Sequence, residues 1–304
     1  MINSLKKPAL IGIVTVLYNS EDVLRDYFIS LSIQTNINFI LYLIDNSETN
    51  IGLLKSIDFA NLYNINIKFI FNNKNVGVAK GNNQGINLAL EDGCQAILLS
   101  NNDLYFNNSN ILYEMYSALV KNKVSAVVPK ILYFDLPNII WCAGGKFNML
   151  SATTPHIGDG KFDSGEFEVN QYVSYSPTCF MLFDASIFKQ IGFMNENYFV
   201  YYDDVDFIWR FNKAGKKMLL LNCLKIWHKV SYSTGGSKSL FGIFYGHRNR
   251  IIFIRYNFNF YQKLVTYLYL VLTLPFKFFI YDLDQRKSLI NGYIEGIQFR
   301  IDRQ

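Results

Sequence analysis

The chain has 304 residues, half of them hydrophobic, with 26 Phe, 21 Tyr and 3 Trp but only 17% charged side chains. That balance excludes a disordered chain, and the length allows one large domain or two smaller ones, each with a proper core. Lys+Arg total 29 against 24 Asp+Glu, a net charge of +5, and the four dispersed cysteines Cys94, Cys142, Cys179 and Cys223 contain no C-x-x-C pair. They therefore argue against a disulfide framework, zinc ribbon or redox motif, and read as reduced, partly buried thiols.

Ala9–Leu17 is a short, β-branched apolar run followed by Tyr18-Asn19-Ser20, with no small-residue cleavage site. It reads as a strand buried on both faces rather than a secretory leader. Ser20 is placed to cap a helix over Glu21–Gln34, with Glu21 and Asp22 in its first turn. Phe39–Ile44 reads as a second strand, ending at Asp45-Asn46-Ser47, and Ile65–Phe71 as a third, ending at Asn72-Asn73. A helix follows over about Val78–Leu90 and stops at Gly93. Ala96–Leu99 reads as a fourth strand, ending at Ser100-Asn101-Asn102-Asp103, and a helix over Asn110–Asn122 leads to an apolar stretch at Ser125–Val128. This alternation predicts an α/β fold with an open, mainly parallel, Rossmann-like sheet flanked by helices. Such sheets bind ligands beyond the carboxyl ends of their strands, where four polar loops gather here. Residues 135–175 are Gly-rich and irregular, suggesting short strands and a mobile loop. Residues 186–215 read as two helical pieces around the aromatic and acidic centre Tyr198–Asp206.

Four segments carry chemistry. Asn101-Asn102-Asp103 offers one carboxylate to a hard cation whose shell diphosphate oxygens would complete, though N-N-D is also common in turns. Asn75-Val76-Gly77-Val78-Ala79-Lys80-Gly81-Asn82-Asn83-Gln84-Gly85 opens a helix with three glycines. They suit either close approach to an anion or sugar, or tight helix packing. It is neither a Walker A loop nor a G-x-G-x-x-G fingerprint. Asp203, Asp204 and Asp206 stand among aromatics. Mutual repulsion and apolar walls raise carboxyl pKa values, so one of the three suits a general base, while Asp206 and Arg210 read as a structural ion pair. His228, in Ile226-Trp227-His228-Lys229 ahead of Ser231–Ser237, reads as a structural histidine or as a second ligand beside Asp103.

As a set these pieces resemble a family 2 glycosyltransferase with the GT-A fold, in its rhamnosyltransferase-like branch. The matching stretches are I-V-T-V-L-Y-N-S at 13–20, L-I-D-N-S at 43–47, N-V-G-V-A-K-G-N-N-Q-G at 75–85 and L-L-S-N-N-D at 98–103. C-F-M-L-F at 179–183, residues 191–210, W-H-K-V-S-Y-S-T-G-G at 227–236 and R-N-R at 248–250 follow in order. The resemblance implies that Asp45, near Tyr18 and Asn19, reads the pyrimidine base of a nucleotide sugar. Asn46, Asn75, Gly77, Gly81, Asn82 and Asn83 would line the donor, with Asn101 and Asn102 beside them. Asp103 and His228 would hold Mg²⁺ or Mn²⁺, and Asp204 would be the general base, with Asp203 at its side. Three positions depart from the family pattern: Asn101 replaces the first acid of D-x-D, Asp203 replaces the glutamate of the usual Glu-Asp pair, and Met194-Asn195 interrupts G-F-D-E. An inactive nucleotide-sugar-binding scaffold subunit is the alternative that these departures raise. A sugar nucleotidyltransferase is disfavoured, because Ile11–Ser20 has no basic Gly-rich loop.

The resemblance implies dTDP-L-rhamnose as donor, with a UDP-hexose or UDP-galactofuranose as alternatives. It implies a lipid-linked glycan acceptor in surface polysaccharide (O-antigen or capsule) assembly, at the cytoplasmic face of the membrane. Residues 1–240 would form the catalytic domain and 241–304 a helical segment. Residues 236–304 hold 10 Lys+Arg against 4 Asp+Glu and 16 aromatics. That composition suits an anionic membrane interface or a packed helical pair, on the body or on a second subunit, and no nucleic-acid module is recognisable. Leu264–Phe276, bracketed by Lys263 and Lys277, is too short to span a bilayer, and Pro275 would interrupt it.

Overall fold

The structure is a computed structural model that describes residues 9–165, 169–230 and 238–300. The segment 231–237, singled out for its paired glycines, lies outside the described residues.

The chain opens with β1 (Leu10–Leu17), α1 (Leu24–Ser32), β2 (Asn38–Asp45), α2 (Ile51–Leu62), β3 (Ile67–Phe71), α3 (Val78–Glu91) and β4 (Ala96–Ser100). Then come β5 (Leu104–Tyr105), α4 (Ile111–Lys121), β6 (Ala126–Tyr133), β7 (Ile140–Cys142), β8 (Gln171–Val173) and β9 (Phe180–Asp184). Last are α5 (Ile187–Ile191), α6 (Asp203–Lys213), β10 (Met218–His228), α7 (Leu240–Asn257), α8 (Phe260–Ile280) and α9 (Leu283–Gln298).

The strands form one sheet in the order β3-β2-β1-β4-β9-β6-β10-β5, with β7 on β6 and β8 on β10. The β3-β2-β1-β4 half is parallel, as expected. The other half is mixed: β9 runs antiparallel between β4 and β6, and β10 lies parallel to β6. Successive side chains alternate faces. Ile11, Ile13 and Leu98 enter one core with Phe28 and Met115, whereas Val14, Ile97 and Leu99 enter the other with Ile86, Phe207 and Phe253. The second core thus includes α7, so the start of the C-terminal segment is packed into the body.

Two local expectations change. Ser20 caps no helix: α1 begins at Leu24, Val23 is its N-cap without a side-chain bond, and the Ser20 hydroxyl is buried without a partner. Pro275 does not interrupt its helix either. α8 runs unbroken through it for 21 residues, about 31 Å at 1.5 Å per residue. Its mean hydropathy reaches 1.5 with 11% of that window buried, so length and composition alone suffice to cross a bilayer. Its inner side is nevertheless fastened to the body along its length. Thr266 donates to the Met149 carbonyl at 2.9 Å, Leu270 is buried, and Lys277 contacts α7 and α9.

Candidate active site

The parallel strands deliver their last residues to one edge. Asp45 ends β2 and is fully buried. Its Oδ1 accepts the Ser47 N–H at 2.8 Å, while Oδ2 is buried with no partner. An unpartnered buried carboxylate oxygen is costly, and a ligand N–H would satisfy it. Asn19, in the left-handed region at φ 46°, donates its N–H to the Ser47 hydroxyl at 2.9 Å. Tyr18 beside it is exposed.

The amides nearby are mostly committed to scaffolding. Asn46 donates to the Gly77 carbonyl at 3.0 Å and accepts from Asn72, which exchanges two bonds with Gln84. Asn75 accepts the Gly77 N–H, and Asn83 grips the backbone of Met194 in both directions and the Glu196 carboxylate. The Asn82 side chain is buried and makes no hydrogen bond among the described residues. The glycines answer to packing. A Cβ on Gly85 would stand 2.4 Å from Val14, one on Gly81 2.9 Å from Val16, and one on Gly77 2.7 Å from the Phe199 carbonyl. Gly77 also has φ 88°, forbidden to most side chains. Gly77→Ala is expected to lower unfolding free energy by about 2 kcal/mol or more, measurable by denaturant titration.

The cation candidates meet through β-sheet register. Leu104 pairs with His228 across the β5–β10 ladder, and the Lys229 N–H donates to the Asp103 carbonyl at 3.0 Å. The ladder sets His228 Nε2 3.1 Å from Asp103 Oδ1, both residues being buried. The approach lacks hydrogen-bond alignment, and Asp103 Oδ1 and His228 Nδ1 are left without bonds. Two ligand atoms bound cis on one octahedral cation stand about 3 Å apart, so the pair fits Mg²⁺ or Mn²⁺. No third acidic, histidine or cysteine side chain joins them among the described residues, so diphosphate and water would fill the remaining positions. Asn101 is exposed, and its N–H donates to the Cys179 carbonyl at 2.8 Å, while the buried Asn102 amide nitrogen is unpartnered.

Asp203 and Asp204 open α6. Asp204 Oδ1 accepts the Val205 N–H at 2.7 Å, and Oδ2 accepts the Tyr175 hydroxyl at 2.6 Å. Burial raises the Asp204 carboxyl above the ordinary carboxylate range, while those two donors favour its ionised form. Asp203 is pushed up to about 8, first by burial and then by the Asp204 charge. Of the two, Asp204 is the carboxyl whose donors favour the ionised form, whereas burial and the neighbouring charge favour the protonated form of Asp203. Because folding raises the Asp203 pKa from 3.8, the folded state binds the extra proton between 3.8 and about 8. That stabilisation is complete below 3.8 and is lost as pH rises towards about 8. Asp203→Asn, which cannot ionise, is expected to gain melting temperature relative to the parent as pH is raised across that window.

Sequence reasoning missed three rings that join the two acidic centres. Trp141 lies edge-on to His228 at 4.6 Å and to His156 at 4.7 Å, and His156 stacks on Tyr175 at 6.2 Å. His156 Nδ1 lies 3.1 Å from the Trp141 carbonyl, and burial lowers its pKa, so the ring is neutral and its Nε2 is an acceptor. All three rings lie in the irregular 135–175 stretch, where no periodicity marks them.

The R-N-R motif also acquires a structural role. Tyr201 and Tyr202, just before the acids, both take left-handed backbone, at φ 60° and 65°. Such strain costs about 1–3 kcal/mol per residue and needs outside support. Arg248 donates to the Asn197 carbonyl at 3.3 Å, and Asn249 donates to the Val200 and Tyr201 carbonyls at 2.7 and 3.1 Å. Arg250 donates its Nε to the Tyr202 hydroxyl at 3.1 Å. Helix α7 thus holds the turn that presents Asp203 and Asp204. Asp206 pairs with Arg210 at 2.9 Å, as expected, and also accepts from Asn257.

Comparison with known proteins bears on the fold and the family. The chain is 25% identical over 193 residues to the low-salt glycan biosynthesis hexosyltransferase Agl10 of Haloferax volcanii, covering 61% of this chain and 59% of that protein. Its structure resembles the TarS 1–349 fragment of S. aureus in complex with UDP-GlcNAc (TM-score 0.61, 14% identity), covering 95% of this chain and 80% of the fragment. It also resembles the longer TarS structure (TM-score 0.59, 14% identity), covering 95% of this chain but 48% of that one. At these identities the structural likeness is one of fold, and the chain spans about half to three-fifths of Agl10 and the longer TarS chain. The family model for glycosyl transferase family 2 matches residues 12–192, more than half the chain, so this protein belongs to glycosyl transferase family 2.

Proposed function

We propose that the chain is an inverting glycosyltransferase that moves a sugar from a nucleoside diphosphate to a hydroxyl of a lipid-linked glycan, at the cytoplasmic surface of the membrane. The observation that carries this reading is one edge holding the unpartnered Asp45 oxygen, the Asp103–His228 pair and the Asp204 carboxylate. Asp45 Oδ2 accepts the N3–H of a uracil or thymine, with Tyr18 and Asn19 alongside. Asp103 and His228 would hold Mg²⁺ or Mn²⁺, and the bound cation would supply charge neutralisation for the leaving diphosphate. The acceptor oxygen attacks the anomeric carbon from the face opposite the diphosphate. As the new C–O bond forms, the bond to the diphosphate breaks, configuration inverts, and Asp204 takes the acceptor proton. Tyr175 orients Asp204, and protonated Asp203 adds no second negative charge.

The rhamnosyltransferase-like motifs support dTDP-L-rhamnose as donor, and surface polysaccharide as the destination of the product. A UDP-hexose is the second reading, favoured by the UDP-GlcNAc complex of the fold relative and the hexosyltransferase name of Agl10. Because Asp45 can accept from either base, a panel of nucleotide sugars followed by nucleotide diphosphate release decides between them. Binding without release would instead support the scaffold reading, and pyrophosphate release the nucleotidyltransferase.

Asp103→Ala is expected to abolish Mn²⁺-dependent strengthening of donor binding, leaving the weaker metal-free affinity. Calorimetry with and without Mn²⁺ reads this directly, and an unchanged Mn²⁺ effect would remove the cation from this pair. The membrane part of the proposal is supported by α8, whose outward side is apolar while its inner side is fastened to the body. A helix so held lies along the interface rather than across it.

A further inference from the structure

Cationic side chains on the C-terminal helices fall into two groups. Arg248 pairs with Glu295 at 2.6 Å, and Arg255 donates to the Gly296 and Phe299 carbonyls at 2.7 and 2.9 Å. Arg250 and Lys277 have no such partners. Arg250 uses only its Nε, on Tyr202, so both terminal guanidinium nitrogens lack an acceptor among the described residues. Lys277 Nζ touches His247 Nε2 at 3.0 Å and the Tyr293 hydroxyl at 3.1 Å, and no carboxylate among the described residues stands within 4.0 Å of either cation.

The three basic groups repel one another. Burial and the neighbouring Lys277 and Arg250 charges push His247 down to about 3, and burial and Arg250 push Lys277 down to about 8. Packing two cations and a histidine together without an acid destabilises the unliganded protein. Arginine and lysine donors around hydroxyl groups form the chemistry that recognises phosphate.

Two neighbours specify the source of that phosphate. Tyr202, on which Arg250 rests, immediately precedes Asp203 and Asp204 in the chain. Lys277 lies on α8 between the exposed Phe276 and Phe279, which are 71% and 90% accessible. An amphiphile with its phosphate between Arg250 and Lys277 could lay its tail on the apolar side of α8 and present an attached sugar towards Asp204. We infer that Arg250, Lys277 and Tyr293 form a binding site for the phosphate or diphosphate group of a lipid-linked acceptor, distinct from the donor's Asp103–His228 pair, with Tyr202, whose hydroxyl proton goes to the Ala152 carbonyl at 2.7 Å, only holding Arg250 in place. The inference rests on the glycosyltransferase reading for its acceptor.

The test uses the full chain with phosphatidylcholine vesicles of two kinds. One carries a long-chain isoprenyl diphosphate and the other phosphatidylglycerol at matched charge. Inorganic pyrophosphate serves as the soluble probe, and UDP and dTDP binding are followed in parallel. The full chain should prefer the isoprenyl diphosphate vesicles. Lys277→Gln and Arg250→Gln should each weaken that binding about tenfold, about 1.4 kcal/mol. Lys277→Arg should restore most of it, and nucleotide affinity should not change.

Binding should also weaken as pH rises above about 8, where Lys277 loses its proton in the free protein. The groups facing Lys277 are His247 and Arg250 from α7 and Tyr293 from α9, and of these His247 is already neutral there. Lys277→Gln leaves Tyr202 untouched, so a structural effect confined to Arg250 is recognised. Equal binding to both vesicle types would reduce the site to surface charge. Lys277-dependent pyrophosphate binding with no preference for the lipid would make the ligand a free anion. Loss of nucleotide affinity in the variants would assign the cluster to the donor, and unchanged vesicle binding in both variants would overturn the site altogether. Failure of the catalytic reading shows separately, as absent nucleotide diphosphate release from a full chain whose vesicle preference stands.

Discussion

Asp204→Asn is expected to lower sugar transfer by about a hundred- to ten-thousandfold, the usual contribution of a positioned general base. The asparagine keeps the size of the side chain and can still accept from the Val205 N–H, while its amide NH2 can donate to a Tyr175 hydroxyl that turns to accept, so the start of α6 should hold. What it cannot do is take a proton. Nucleotide binding, which the proposal assigns to Asp45 and the Asp103–His228 pair, should survive within a few fold. Asp203→Asn is the internal control. Its carboxyl is held protonated up to about 8, so the neutral amide mimics the working state and activity should fall far less. The two variants are compared by nucleotide diphosphate release and by calorimetry with the free nucleotide. Near-normal turnover in Asp204→Asn, or an equal loss in Asp203→Asn, would sink the division of roles.

The second large effect is expected at the outer side of α8. Leu268, Leu272, Phe276 and Phe279 recur at helical spacing and are all exposed. Replacing all four with Gln should reduce partition into anionic vesicles by about a hundredfold or more, because each large apolar side chain contributes about 1.5–3 kcal/mol when fully withdrawn from water. Their removal leaves no cavity, so the melting temperature should stay close to the parent's, as should turnover on a water-soluble acceptor. Vesicle flotation measures the first and thermal unfolding the second. Unchanged flotation, with a shift in sedimentation from dimer to monomer, would instead identify the face as a contact between two copies of the chain.

The half of the fold legible in the sequence is the half whose physics is local. Strands β1, β2 and β4 are covered on both faces, so they appear as unbroken apolar runs, and their polar ends Asp45 and Asp103 follow directly. Helix α2 escapes because Ile51, Leu54 and Leu62 are exposed, which blurs its periodicity. The antiparallel β9, wedged between β4 and β6, is as apolar as its neighbours, and nothing in its residues records its direction. Trp141, His156 and Tyr175 meet only through tertiary folding of a stretch without pattern. The glycines at 77, 81 and 85 were visible, but the atoms that would crowd their Cβ positions belong to Val14, Val16 and Phe199, elsewhere in the chain. The unbroken course of α8 past Pro275 was equally hidden, since a proline's exposed position and the helix's tethering to Met149 and α7 are properties of the folded chain.

The two left-handed tyrosines before α6, supported by Asn249 and Arg250 of α7, bear on how such enzymes can be recombined. Residues 197–206 and the first three turns of α7 behave as a matched pair of parts, although about fifty residues and strand β10 separate them along the chain. A chimera that grafts a new C-terminal segment onto this catalytic body would leave the tyrosine turn without its brace unless both parts travel together. The tyrosine turn and the start of α7 would then be inherited as one cassette, and any exchange of C-terminal segments has to keep that brace.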